Sequence, residues 1–209
     1  MDGYQKILKE IPKEITLVVV SKNHSSEELL KQYHSGCRHF GENRIQEALP
    51  KIDESPSDIQ WHFIGTLQKN KIAKVLDKFY MIHSVDSLDL AKAISKRAEK
   101  KYPVLLQVNT SGEETKHGLM PDEWKEAFEE ALQLPHLEIL GLMTMAPLTE
   151  DKAVIRRCFA NLREFRDELE ADFGVNLPHL SMGMSHDYLI AIEEGATILR
   201  IGSAIFNPL

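Results

Sequence analysis

The residues with the most chemistry to offer are a lysine, an arginine and two glycine-serine loops. Lys22 ends the apolar, β-branched run Ile15-Thr16-Leu17-Val18-Val19-Val20-Ser21-Lys22, just before Asn23-His24-Ser25-Ser26. An amine held half out of water at the end of a buried strand has its ammonium form disfavoured, and the neutral amine can attack a carbonyl to form a Schiff base. A solvated lysine that simply closes a strand is the plain alternative. The stretches Ser181-Met182-Gly183-Met184-Ser185 and Ile201-Gly202-Ser203-Ala204 supply hydroxyls and flexible backbone, a pattern that suits an anion but is also common turn chemistry. Arg200 lies inside the apolar run Thr197-Ile198-Leu199-Arg200-Ile201, so its guanidinium must face solvent, pair with a carboxylate, or meet an acceptor on a ligand.

These groups need elements to position them. The run over 15–22 reads as a strand buried on both faces, of the kind found in parallel sheets covered by helices. Ahead of it, 2–11 reads as a short helix stopped before Pro12. Behind it, Ser25-Ser26-Glu27-Glu28 starts a helix with hydroxyl caps and carboxylates at the positive end of the dipole, running to Gly36. The alternation then repeats: strands over 37–40, 61–64, 79–83, 103–108, 137–142, 177–181 and 197–201, with helices over 44–52, 68–78, 88–100, 151–172 and 187–194. A further helix opens at Pro121, where a missing amide costs nothing. Eight strand-then-helix units in 209 residues close most simply into a parallel (β/α)8 barrel, a TIM barrel. A doubly wound open sheet would need a glycine-rich turn after the first strand, and Lys22-Asn23-His24 is not one.

At 43% apolar and 27% charged residues, the chain is expected to form one domain over 1–209. Its N-terminus lacks a signal-peptide core and no run is long enough to span a bilayer, so it reads as cytoplasmic with no membrane partner. The net charge of −7 argues against nucleic-acid binding. The basic stretch Lys69-Asn70-Lys71-Ile72-Ala73-Lys74 alternates with apolar residues at helical spacing and reads as a solvated helix face. Cys37 and Cys158 lack the spacing of a metal site or disulfide framework and read as buried or incidental thiols; no metal is expected.

In a barrel of this kind the reactive groups project from the carboxyl ends of the strands, and the loops after strands seven and eight are the usual phosphate seat. Lys22 and the two glycine-serine loops fall at those places. A Schiff-base lysine facing a phosphate seat calls for an aldehyde that carries a phosphate. Pyridoxal 5'-phosphate fits, and so does a sugar-phosphate substrate of a lysine aldolase.

The blocks Val20-Ser21-Lys22, Phe40-Gly41-Glu42-Asn43-Arg44-Ile45-Gln46-Glu47, Trp61-His62-Phe63-Ile64-Gly65, Leu67-Gln68-Lys69-Asn70-Lys71, Gly141-Leu142-Met143-Thr144-Met145, Leu180 to Ser185 and Leu199 to Phe206 resemble the pyridoxal phosphate homeostasis protein family. The stretch from Asn109 to Gly118, with Glu113 and Lys116, looks like that family's fifth loop. The resemblance implies the barrel domain of alanine racemases and a covalent cofactor aldimine on Lys22. It also implies that Ser185, Gly202 and Ser203 hold the phosphate, that Arg200 approaches the pyridine nitrogen and that Asn43 lines the cofactor, with His62 and Met182 as further candidates for the pocket wall.

What the resemblance implies in function is a monomeric binder with no catalytic residues of its own, which buffers pyridoxal phosphate and hands it to dependent apo-enzymes. A weak racemase or a lysine aldolase is the rival reading. A two-base racemase needs a tyrosine from an additional β domain, for which the seven residues beyond Gly202 are expected to leave no room. Three departures from the family pattern stand out: a short segment before the first strand, Arg44 where tyrosine is frequent, and Asn207-Pro208-Leu209 after Phe206.

Overall fold

A computed structural model describes residues 3–113 and 116–207. Pro208 and Leu209, part of the altered tail, lie outside the described residues. The elements alternate from the start: α1 (Gly3–Glu10), β1 (Thr16–Val20), α2 (Ser26–His34), β2 (His39–Glu42), α3 (Ile45–Glu54), β3 (Gln60–Phe63), then a 3-10 turn (Lys69–Lys71) leading into α4 (Ile72–Lys78). They continue with β4 (Met81–Val85), α5 (Leu88–Arg97), β5 (Tyr102–Gln107), α6 (Pro121–Leu132), β6 (Leu137–Met143), α7 (Lys152–Phe173), β7 (His179–Ser181), α8 (Tyr188–Glu193), β8 (Ile198–Ile201) and α9 (Ser203–Phe206). The strands form a closed parallel barrel in sequence order, with β1 beside β8 and Val18 opposite Arg200.

Period-two alternation sorts the side chains into two layers. Leu17 and Val19 of β1 join the large apolar layer between strands and helices, together with Phe40, Phe63, Leu142, Leu180 and Leu199. Val18 belongs instead to a small cluster with Met81, Leu105, Met143 and Ile198, which fills part of the lumen. Ser21 and Lys22 follow the end of β1, with Lys22 in the turn that leads to α2.

Local signals set the helix ends as their chemistry requires. Ser25 and Glu28 form a complete capping box at α2. Asp151 caps α7, and Gly174, at φ 64°, ends it in the left-handed conformation that glycine adopts without strain.

Four strands differ from expectation by two residues at an end: β1 stops at Val20, β7 begins at His179, and β2 and β4 run further on. β2 runs two residues later than 37–40, because pairing with β3 extends from His39 opposite Gln60 to Glu42 opposite Phe63. Glu42 can sit in a buried strand because its charge is met there. β4 likewise takes in Ser84 and Val85, where a closing turn was expected. The helix α9 carries no sequence periodicity at four residues; it is held by packing on α1, where Gly3 leaves room for the carbonyl of Ile205, and by His24 stacked on Phe206 at 3.8 Å.

Candidate functional site

β1 ends at Val20, and the chain turns through Asn23, at φ 63°, so Lys22 lies exposed on the lip of the barrel. This corrects the expectation of a half-desolvated amine: the strand stops two residues short of the lysine, which is exposed. What is buried is the scaffold behind it. Lys51 of α3 donates to the Ser21 carbonyl and to Glu42 Oε1, both at 2.7 Å, and Ser21 Oγ donates to the same carboxylate oxygen at 2.7 Å. Ser21 N also donates to the Gly41 carbonyl. The peptide that carries Lys22 is thereby tied to β2 and α3 by a buried ion pair.

The loops after β7 and β8 meet beside it. Arg200 N donates to the Gly183 carbonyl at 3.0 Å, and Ser185 Oγ accepts from Ala204 N at 3.2 Å, so the two loops are joined at both levels. Gly183, at φ 95°, is required there, since a Cβ would stand 2.6 Å from Ala191 Cβ. A Cβ on Gly202 would approach the Val20 carbonyl to 3.1 Å, which shows how closely the end of β8 lies against the end of β1. Lys22, Ser185, Gly202 and Ser203 therefore share one stretch of the barrel rim, with Ser203 exposed and Ser185 half-buried.

Arg200 points into the lumen and is 4% exposed. Its Nη1 donates to Ser181 Oγ at 2.6 Å and its Nη2 to the Thr144 carbonyl at 3.0 Å. Among the described residues no carboxylate stands within ion-pair distance of it, so the salt-bridge alternative is absent there. Burial pulls its pKa down to about 10, offset in part by the Asp187 charge, so it remains a cation at neutral pH. Asp187 itself is nearly buried, and burial raises its carboxyl pKa.

Asn43 follows β2, half-buried, and its Oδ1 is buried without a hydrogen-bond partner among the described residues. It lines a cleft of about 310 Å³ with Arg44, Thr66, Gln68 and Lys71. Two expected wall residues lie in packed layers. His62 is 1% exposed inside the barrel, between His39 and His83, and Met182 is fully buried in the layer between strands and helices. Neither has surface left for a ligand, because parity and closure turn them into packed layers. Asn109, at the end of β5, uses its side chain within its own loop, on Glu113 O and Ser111.

Sequence reading passed over Glu42, Lys51, Thr144 and His39 as site residues, and it placed His83 and Ser181 at strand ends without a role for either. The available signal was a carboxylate inside a strand block and histidines recurring once per strand. Both cysteines are buried and free, with the Cys37 thiol pushed up to about 12 by burial. No metal-binding cluster and no helix able to cross a membrane occur among the described residues.

Fold and rim together define a (β/α)8 barrel with a lysine, an anion-suited loop pair and a buried cation at its mouth. Residues 3–208 match the family described as the alanine racemase N-terminal domain. The pyridoxal phosphate homeostasis protein of Aquifex aeolicus is 48% identical over 195 residues, covering 91% of this chain and 86% of that protein. Two structures of PipY from Synechococcus elongatus PCC7942 are similar throughout. The one without PLP has a TM-score of 0.93 at 37% identity, covering 98% of each chain; the one with PLP bound has 0.90 at 36%, again covering 98% of each. The chain belongs to the pyridoxal phosphate homeostasis protein family.

Proposed function

We propose that this protein binds pyridoxal 5'-phosphate at the barrel mouth as a reversible Schiff base on Lys22, buffers the free aldehyde and releases it to dependent apo-enzymes, with little or no turnover of its own. The observation that carries this reading is Arg200: a buried cation with no carboxylate partner among the described residues, at the same mouth as a lysine and two hydroxyl-bearing loops. A buried guanidinium left in this state is suited to an acceptor brought by a ligand. The partnerless Oδ1 of Asn43 is a second group suited to a polar ligand.

When bound, the cofactor supplies an aldehyde that condenses with a primary amine with loss of water. Lys22 offers that amine from an exposed position, open to water and to competing amines, which favours exchange over permanent storage. Ser185, Ser203 and the backbone at Gly202 hold the phosphate on the neighbouring rim. Arg200 stays charged and can only donate, so it favours an unprotonated pyridine nitrogen. Catalysts that use this cofactor as an electron sink keep that nitrogen protonated, so an arginine in its place disfavours carbanion chemistry.

The test is the purified protein mixed with pyridoxal phosphate. A visible absorbance band is expected, lost on borohydride reduction with the label mapped to Lys22, and absent from Lys22→Ala. A label on Lys51 or Lys71 would overturn the assignment of the amine. Robust racemisation or transamination in steady-state assays across amino acids would overturn the non-catalytic role.

A further inference from the structure

A chain of hydrogen bonds crosses the barrel lumen below Arg200, and its direction follows from the arginine. A guanidinium donates and never accepts. Ser181 Oγ accepts from Nη1, and although a hydroxyl can accept twice, the acceptor within reach of its own proton among the described residues is His83 Nδ1, 2.9 Å away. An accepting Nδ1 puts the His83 proton on Nε2, which is 2.9 Å from His62 Nδ1. By the same step His62 carries its proton on Nε2, 3.0 Å from His39 Nδ1. Every O–H and N–H in the chain therefore points away from the cation, and every lone pair points towards it.

The chain also spans the fold. His39 opens β2 and is half-buried at the base of the barrel, whereas Ser181 closes β7 near the mouth. All three imidazoles are held neutral by burial, which lowers the pKa of His39, takes His62 to about 3 and takes His83 well below the usual range. The groups facing them are His179, itself pushed down by burial, Arg200 beside His83, and the Tyr80 ring edge-on to His62 at 5.6 Å. Asp187 acts on Arg200 only from beyond hydrogen-bond contact. Among the described residues, no hydrogen bond joins the chain to a carboxylate.

We propose that Ser181, His83, His62 and His39 are positioning residues: a one-directional hydrogen-bond chain that solvates and orients the Arg200 cation in place of a counter-ion. Aligned neutral dipoles lower the energy of a buried charge and reinforce one another along a chain. A carboxylate in their place would neutralise the guanidinium and occupy its N–H groups. Held by dipoles, Arg200 keeps its full charge and its remaining donors for a ligand. This rests on the reading that Arg200 meets the pyridine nitrogen, and it explains how the fold keeps that charge uncompensated.

The experiment is long-range proton–nitrogen correlation NMR on the full chain with nitrogen-15-labelled histidine and no cofactor. At pH 7.5, His39, His62 and His83 are expected as neutral Nε2–H tautomers. An Nδ1–H tautomer or an imidazolium at any of the three overturns the chain. Arg200→Lys, which keeps a donor-only cation, is expected to preserve the tautomers, whereas Arg200→Met frees Ser181 and gives mixed tautomers as far as His39. A chain with only a packing role would keep its tautomers in both variants, and that result overturns the proposal. Ser181→Ala covers the case in which Arg200→Met does not fold: it severs the chain, mixing the His83 and His62 tautomers, and Ser181→Thr restores them. Pyridoxal phosphate binding by Arg200→Met, read from the visible band, judges the cofactor reading separately; unchanged affinity overturns that reading while the tautomers still decide the chain.

Discussion

Lys22 owes its place to residues that touch its neighbour. Glu42 is fully buried, and Lys51 Nζ meets both its Oε1 and the Ser21 carbonyl. Removing one partner of such a pair strands a charge, at a cost of about 3–5 kcal/mol, whereas removing both costs much less. Lys51→Met is thus expected to lower stability in urea unfolding by about that amount, and Glu42→Gln combined with Lys51→Met to recover most of it. On the phosphate side, the hydroxyls of Ser185 and Ser203 are each expected to matter by about 1.5–3 kcal/mol, roughly one to two decades in affinity. A titration in which the double alanine variant binds pyridoxal phosphate as tightly as the parent would place the seat elsewhere.

Each strand depends on how closely its neighbours approach, and the β6–β7 seam depends on one residue. Gly141, at φ 156°, has no room for a side chain, since a Cβ would lie 1.9 Å from the His179 carbonyl. Gly141→Ala is expected to destabilise by at least about 3 kcal/mol or to prevent folding, seen as loss of a cooperative thermal transition. Helix ends are more forgiving. Ser25→Ala removes the α2 capping box in an exposed setting and should cost about 1 kcal/mol in the same measurement.

At the scale of the whole barrel, the buried imidazoles make stability depend on pH. The folded pKa of His62 is about 3 and that of His83 lies well below 6.5, with His39 and His179 also lowered, all chiefly by burial. In the unfolded chain these rings take up protons as pH falls below about 6.5, while the folded chain refuses them. The stabilisation is complete above about pH 6.5 and is lost as pH falls towards the folded pKa, by up to about 1.4 kcal/mol per pH unit for each ring. Urea midpoints should therefore decline steadily from pH 7 to pH 5; a flat profile over that range would contradict neutral, buried histidines.

The alternation of apolar runs and capped helices was enough, in the sequence alone, to specify eight strands, their order and the rim positions of Lys22, Ser185, Gly202 and Ser203. Local periodicity and turn chemistry carry that information within some twenty residues at a time. They also limited it: β1 was read through to Lys22, which made the lysine half-buried, and His62 and Met182 were placed at a pocket wall, whereas both are buried in packed layers. Which face a buried strand residue takes, and what it meets there, depends on partners far away in the chain. His39, His62 and His83 are separated by 23 and 21 residues, one on each of three neighbouring strands, and Ser181 lies 98 residues beyond His83. Closure of β8 onto β1 sets Arg200 opposite Val18 and brings these groups into one lumen. A donor-only cation has no direction of its own to impose on a sequence; it acquires one only where the barrel sets an acceptor against it.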